Sequence, residues 1–528
     1  MKEYRHDPVN PNITSGENIS FWTASTGPIK YQKLSKSIET DILIIGGGIS
    51  GLTTAYRLAV AGRQVTLVDD GYIGSGETGR TTAHITYALD DRYYELERIF
   101  GKSKAMLAAN SHLAALHWID TTIRLENIKC GFRRVPGYLF LHSSDKSETL
   151  EKEYESTRRL GLFTEALPRV PGIENLPDSR GIKFPGQAQF HPLQYLRGLA
   201  EAFTKYGGRI YTETRAENIT KSGAMANGYQ VKANHIVVAT NTPVNDRVTI
   251  HTKQWPYRTY VIAATVPRGA LPFALWWDTG NVKSEWITEP YHYVRLQEFD
   301  EKNDLLIAGG EDHKVGQAGR EDVPETDRFD ALREWTKSKF TMVENIAFKW
   351  SGQVLEPIDS LGFIGRNPGD DNIYIITGDS GNGMTHGTIG GLLISDLIMQ
   401  KRNIWEELYS PSRITLNISG DYIREAGKMV SEYADWIWRK DIRDLAELKT
   451  GQGAILSTGL KKLAVYRDKD DEVHAFQAVC PHLGGLLQWN EEEKSFDCPA
   501  HGSRFTAMGK VINGPALNDL KKLDIKEE

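Results

Sequence analysis

Near its C-terminal end the chain carries Cys480-Pro-His482 and, 15 residues further on, Cys498-Pro-Ala-His501. No other feature restricts the fold as much, because the two short knuckles must meet around one metal centre. Short β-like runs broken by Gly, Pro and Asp surround them from about residue 441. Two thiolates and two imidazoles suit either tetrahedral zinc or a [2Fe-2S] centre with the cysteines on one iron and the histidines on the other. Each knuckle mixes Cys with His, whereas zinc ribbons more often pair like ligands. The interleaving favours iron and sulfur, with Cys480, His482, Cys498 and His501 as ligands.

A second signature opens the chain's first periodic region. DILIIGGGISG reads as a buried parallel strand running into a glycine turn, LTTAYRLAVAG as a helix closed by Gly62, and VTLVD as the next strand. Gly46-x-Gly48-x-x-Gly51 sits in the turn and Asp69 ends the second strand, the βαβ context in which this pattern binds a dinucleotide. The first glycine allows the turn, the second admits a pyrophosphate, the third lets the helix pack, and Asp69 accepts from a ribose hydroxyl. Gly74-x-Gly76-x-x-Gly79 matches the same pattern but follows the second strand and opens no new βαβ unit. It reads as a loop touching the first cofactor.

With 528 residues the chain is roughly three and a half domains of about 150 long. Residues 1–35 read as an extension anchored by Trp22, 36–410 as one large α/β unit, 411–440 as a connecting helix, and 441–528 as a small all-β domain. Tyr422, Ala426, Met429, Val430, Tyr433, Trp436 and Ile437 form the connector's stripe. Within the large unit, about 36–90, 180–245 and 350–410 read as the cofactor-binding part. About 91–180 and 246–349 read as an interleaved α+β substrate part. Lys plus Arg number 63 against 69 Asp plus Glu, which leaves no basic footprint for nucleic acid. Three cysteines make no disulfide framework, no stretch of 18 apolar residues occurs, and no signal peptide is read. A cytoplasmic protein without a transmembrane segment is expected, with Cys130 a buried, inert thiol.

The segments CPHLGG and CPAHGSRF resemble the Rieske family, over about residues 441–528. Respiratory members carry an extra cysteine in each loop, forming a disulfide, where this chain has Gly485 and Ala500. Ser503 matches the family's serine donor and Phe505 stands in the place of its tyrosine. Fewer donors to the sulfurs imply a potential in the lower half of the Rieske range of roughly −150 to +300 mV.

Residues 36–410 resemble the D-amino-acid-oxidase-like FAD oxidoreductases, the glycine and sarcosine oxidase relatives. The resemblance rests on the first glycine turn, on GSGETGRTTAHI, on QFHPLQYLRGLA with His191 and Pro192, on VVATN and on GDSGNGMTHG. It implies FAD held by Gly46, Gly48, Ser50, Gly51, Asp69, Arg80, Thr81, Thr82, Ala83, Ala216, Ala239, Thr240, Gly381, Gly383, Met384 and Thr385. The implied reaction is oxidation of an amine or amino acid at the C–N bond. Amino-acid oxidisers hold the substrate carboxylate with an arginine shortly before an Asp near the domain's end. The matching stretch here, Trp350 to Asp359, has none, which favours an amine or polyamine.

Arg295, after Tyr291 and Tyr293, is expected as a substitute anion clamp or a paired surface arginine. His386, Tyr291 and Tyr293 are candidate pocket residues, Trp276 and Trp277 are pocket walls or core, and His191 is structural. Pairing a flavin with a one-electron cluster implies electron transfer to an external carrier, ferredoxin-like or quinone. The rival readings are a reductase receiving electrons through the Rieske domain, and a redox-sensing flavo-iron-sulfur protein. Glu491 to Glu493 read as a solvated acidic loop or a docking face for a basic carrier.

Overall fold

The computed structural model describes residues 18–176, 178–245, 250–283, 290–315, 328–415, 442–458 and 461–524. The expected connecting stripe, Tyr422 to Ile437, lies outside them.

Ile38–Ile45 forms the central strand, and its apolar half is buried on both faces as a parallel strand requires. It pairs in parallel with Val65–Val68 on one side and with Tyr229–Val238 on the other. The eight-stranded sheet continues outward through Arg209–Tyr211 at one edge and Ile373–Thr377 and Phe363–Arg366 at the other. The helix Ile49–Val60 leaves the first strand through the glycine turn and packs on Gly383–Ile398. Small residues set that approach: a Cβ on Gly387 would meet Ser50 Oγ at 2.6 Å, and one on Gly391 would meet Thr53 Cγ2 at 2.4 Å.

A second, nine-stranded sheet runs from Ile346–Pro357 through the long strands Gln254–Pro267 and Asn303–Lys314 to Gly181–Gln189 and His84–Ile85. The α/β cofactor layer with an interleaved α+β layer is thus present. Three crossing points differ from those read in the sequence. His84–Ile85, Gly181–Gln189 and Ile346–Pro357 belong to the second sheet, so the chain changes layers near 83, 191 and 358 rather than at 90, 180 and 350. Hydrophobic runs look alike in either sheet, which is why the pattern misplaces these switches.

Residues 442–458 and 461–524 form two four-stranded antiparallel sheets around a small core that includes Phe476, Leu487, Phe496 and Phe505. This is the all-β Rieske-type unit, and it rests directly on the large domain. Among the described residues no helix is long and apolar enough to cross a membrane.

Candidate functional site

The two knuckles are built alike. Cys480 N–H donates to Gly485 O (2.7 Å) and Gly484 N–H returns to Cys480 O (3.0 Å); Cys498 N–H donates to Ser503 O (2.7 Å) and Gly502 N–H to Cys498 O (2.9 Å). Gly484 and Gly502 occupy the same place in each turn, with φ of 79° and 81°, a conformation open to glycine without steric cost. Both cysteines are buried and unbridged, and the His482 and His501 ring centroids lie 5.1 Å apart. The Cys480 thiol is drawn down to about 7, first by its hydrogen bond with Cys498, against burial, and further by the N–H groups of His482 and Leu483 and the Ser503 hydroxyl. Two sulfurs and two imidazoles converging from matched turns, with amide donors on the sulfurs, fit a [2Fe-2S] cluster. Ser503 Oγ also accepts from Ala516 N–H (3.0 Å), and Phe505 is fully buried. Cys130 is buried in the core of the large domain rather than in that of the knuckles, its thiol pushed up to about 12 by burial.

The large domain holds a cleft enclosing about 2000 Å³, including its open mouth. At one end lie Gly46, Gly48, Ser50, Asp69, Ala216, Ala239 and Thr240. A Cβ on Gly46 would stand 2.4 Å from Ala239 O, and one on Gly51 would stand 1.9 Å from Gly46 O. Only glycine lets the turn fold flat beneath a ligand here. Asp69 accepts from Gly47 N–H (2.6 Å) and Gly71 N–H (2.8 Å), and burial beside Asp70 pushes its carboxyl up to about 7. This cradle, with a helix N-terminus and a half-buried carboxylate beside it, fits a dinucleotide.

The second glycine pattern explains itself. A Cβ on Gly79 would meet Gly74 O at 2.4 Å, the same internal clash that links Gly51 to Gly46. The loop therefore copies the turn, and its Ser75, Gly76, Glu77 and Thr78 line the cleft next to Arg80, Thr81 and Thr82. The N-terminal helix Phe21–Thr26 clamps it from behind: Trp22 Nε1 donates to Thr81 O (2.6 Å) and Ser20 Oγ to Gly79 O (2.5 Å).

Gly381, Gly383, Met384 and His386 close the middle of the cleft. Burial holds the His386 imidazole down at about 4, so it is neutral. Beyond lie Tyr291, Tyr293, His84, Thr86 and Trp277 with three acids, Asp90, Asp312 and Glu356. Burial raises the carboxyls of Asp90 and Asp312 to about 7. Asp90 Oδ2 and Asp312 Oδ1 have no hydrogen-bond partner. Thr259 ties Tyr293 down through a 2.5 Å hydroxyl contact. Among the described lining residues the only guanidinium groups are Arg80 and Arg215, and no lysine is present.

Arg295 does not reach the cleft. It is fully buried, its Nη1 donating to the carbonyls of Thr82 (3.2 Å), Ala83 (3.0 Å) and Phe190 (3.0 Å) and its Nη2 to Gln297 (2.6 Å). It is neither an anion clamp nor a surface arginine: alternation sets it on the same strand face as Tyr293, but there the carbonyls of Thr82, Ala83 and Phe190 cover it and take up its donors. Gly51, Ala83 and Thr385 also lie behind the wall rather than in it; Thr385 Oγ1 bonds His112 Nδ1 (2.7 Å). Trp277 lines the cleft while its neighbour Trp276 faces the opposite core, Nε1 on Pro171 O (2.9 Å). Asp359 stands outside, paired with Arg413 (2.6 Å). His191 caps the helix Pro192–Lys205.

The Rieske-type unit meets the cleft. Glu493 is neither solvated nor free to receive a carrier: it is 1 % exposed, accepts from Ser351 Oγ and Asn18 N–H (3.3 Å), and lies 3.7 Å from Arg80. The His251 ring of the large domain stands 5.0 Å from that of His482 and 5.5 Å from that of His501. A Cβ on Gly502, inside the second knuckle, would touch Gln353 Nε2 at 2.6 Å, and Gln353 itself lines the cleft. Sequence reasoning missed Asp90, Asp312 and His251, which lie in no motif, and passed over Gln353 and Glu356 although they stand in the stretch Trp350 to Asp359.

Residues 41–397 match the family model described as FAD dependent oxidoreductase, and residues 438–524 match the Rieske [2Fe-2S] domain. The Bacillus subtilis protein YhfW, named as a Rieske 2Fe-2S iron-sulfur protein, is 30% identical over 98% of this chain and 100% of its own. Gamma-glutamylputrescine oxidoreductase of Escherichia coli is 28% identical over 72% of this chain and 88% of its own. Among solved structures, glycine oxidase from Geobacillus kaustophilus superposes with a TM-score of 0.58 at 17% identity, covering 71% of this chain and 99% of that one. That likeness concerns the fold.

Proposed function

Because the chain belongs to the FAD-dependent oxidoreductase family and ends in a Rieske [2Fe-2S] domain, we propose that it oxidises a cationic amine at its C–N bond and delivers the electrons to an external carrier, ferredoxin-like or quinone. The acidic, arginine-free end of the cleft carries this reading. A carboxylate substrate finds no guanidinium there, whereas an ammonium finds Asp90 and Asp312, each with an unpaired oxygen. Bound FAD supplies a two-electron acceptor for the carbon beside nitrogen, and the [2Fe-2S] cluster supplies a one-electron relay.

The chain's residues do the positioning. Asp90 and Asp312 hold the ammonium against Trp277 and Tyr293, whose ring faces favour a cation. With their carboxyls near 7, either can take the ammonium proton at neutral pH, leaving the nitrogen lone pair free. Neutral His386 and the aromatic walls keep charge and water from the reacting carbon. The γ-glutamylputrescine enzyme, whose name specifies an amine substrate, supports the same class.

An anaerobic titration with diamines, monoamines and α-amino acids, followed by flavin bleaching and the cluster's EPR signal together, tests this. An amine should bleach the flavin and bring up the reduced-cluster signal. Bleaching by α-amino acids alone would refute the substrate class. If Cys480→Ser left carrier reduction by substrate unchanged, the electron route would be wrong.

A further inference from the structure

After its second knuckle the Rieske chain turns back to the large domain, and Val511, Ile512, Asn513, Gly514, Ala516 and Leu517 line the same cleft as the dinucleotide turn. The contact is specific. Asn513 Nδ2 donates to Glu77 Oε1 (3.2 Å), and Arg215 Nη2 donates to Leu517 O (2.6 Å). Gly514 lies so close that a Cβ there would stand 3.2 Å from Val244 Cγ1. Glu77 belongs to the loop that copies the glycine turn, and Arg215 and Val244 flank Ala216 and Thr240 at the cleft's dinucleotide end. Glu493 pins the arrangement from the other side, on Ser351 and beside Arg80.

We propose that the Rieske domain supplies one wall of the FAD site through residues 511–517, so that FAD binding and domain docking are one linked equilibrium. The cofactor's affinity then depends on a domain that the flavoprotein fold alone does not contain. By reciprocity, FAD must tighten the docking by the factor that docking tightens FAD. The inference concerns the cofactor and is independent of which compound is oxidised.

The test uses the full chain, stripped of FAD with its cluster retained and titrated with FAD by flavin fluorescence. Asn513→Ala and Glu493→Gln should each raise the dissociation constant by about fivefold or more, a loss of about 1 kcal/mol, with the cluster's visible circular dichroism unchanged. Dissociation constants within about twofold of wild type for both variants would overturn the proposal. Hydrogen exchange on the wild-type chain gives a readout that needs no variant. FAD should protect the amides of 511–517 together with those of 46–51. Protection of the glycine turn alone would overturn it equally.

Discussion

One end of the cleft is made largely of backbone and small residues around the glycine turn of one βαβ unit; the other is made of charged and aromatic side chains scattered between residues 90 and 356. The dinucleotide end needs shape, and glycine gives it because a Cβ on Gly46 would collide with Ala239 O and one on Gly51 with Gly46 O. The proposed substrate end would need charge and stacking, which Asp90, Trp277, Tyr293 and Asp312 bring from four separate places in the chain. A shape requirement leaves little freedom in sequence. A charge requirement can be met from many positions, so substrate preference can change while the cofactor site stays fixed.

The sharpest way to break this contrast is Gly46→Val. The residue has φ of +107° and its Cβ would meet Ala239 O at 2.4 Å. FAD should be lost, with affinity falling about hundredfold or more, as read by flavin content after gel filtration. Next is Asp312→Asn, which should raise KM for a cationic amine by about ten- to hundredfold with full FAD content. Equal effects on FAD content and KM would erase the distinction between the ends.

The pH dependence comes third. Burial raises the Asp90 and Asp312 carboxyls to about 7, so they are neutral below that pH and ionised above it. KM for the amine should therefore fall as pH rises through about 7, and the inflection should flatten in Asp312→Asn. Without a cation, folding should lose stability as pH climbs from the ordinary carboxylate range to 7. A bound ammonium should restore it above 7, measured as a ligand-dependent rise in Tm. The smallest effect belongs to Trp277→Leu, where loss of a ring face should raise KM by about three- to tenfold without altering FAD content.

This contrast also separates what the sequence discloses from what it hides. The βαβ turn, the acid at the second strand's end and both knuckles are local, and each is written in a few adjacent residues. Arg295 was misread because its neighbours Tyr291 and Tyr293 do face the cleft, and strand periodicity does not say which contacts an inward side chain finds. Glu493 was misread because three successive glutamates look solvated; the loop turns so that Glu491 pairs with Lys494 at the surface while Glu493 is enclosed. Asp90 and Asp312 carry no local signal, since only the fold of the second sheet brings them together.

The enclosure of Glu493 has a consequence for how such chains can be rearranged. A domain joined to its neighbour only by a tether can be exchanged for a homologue's. Here the excised Rieske part would bare a carboxylate that meets Ser351 and Arg80, and a graft that covered the remainder without an acid at that place would bury Arg80 with that counter-charge gone. A buried charge stripped of its partner costs about 3–5 kcal/mol. The two parts must consequently drift together: a graft succeeds only when donor and recipient agree on which side brings the acid.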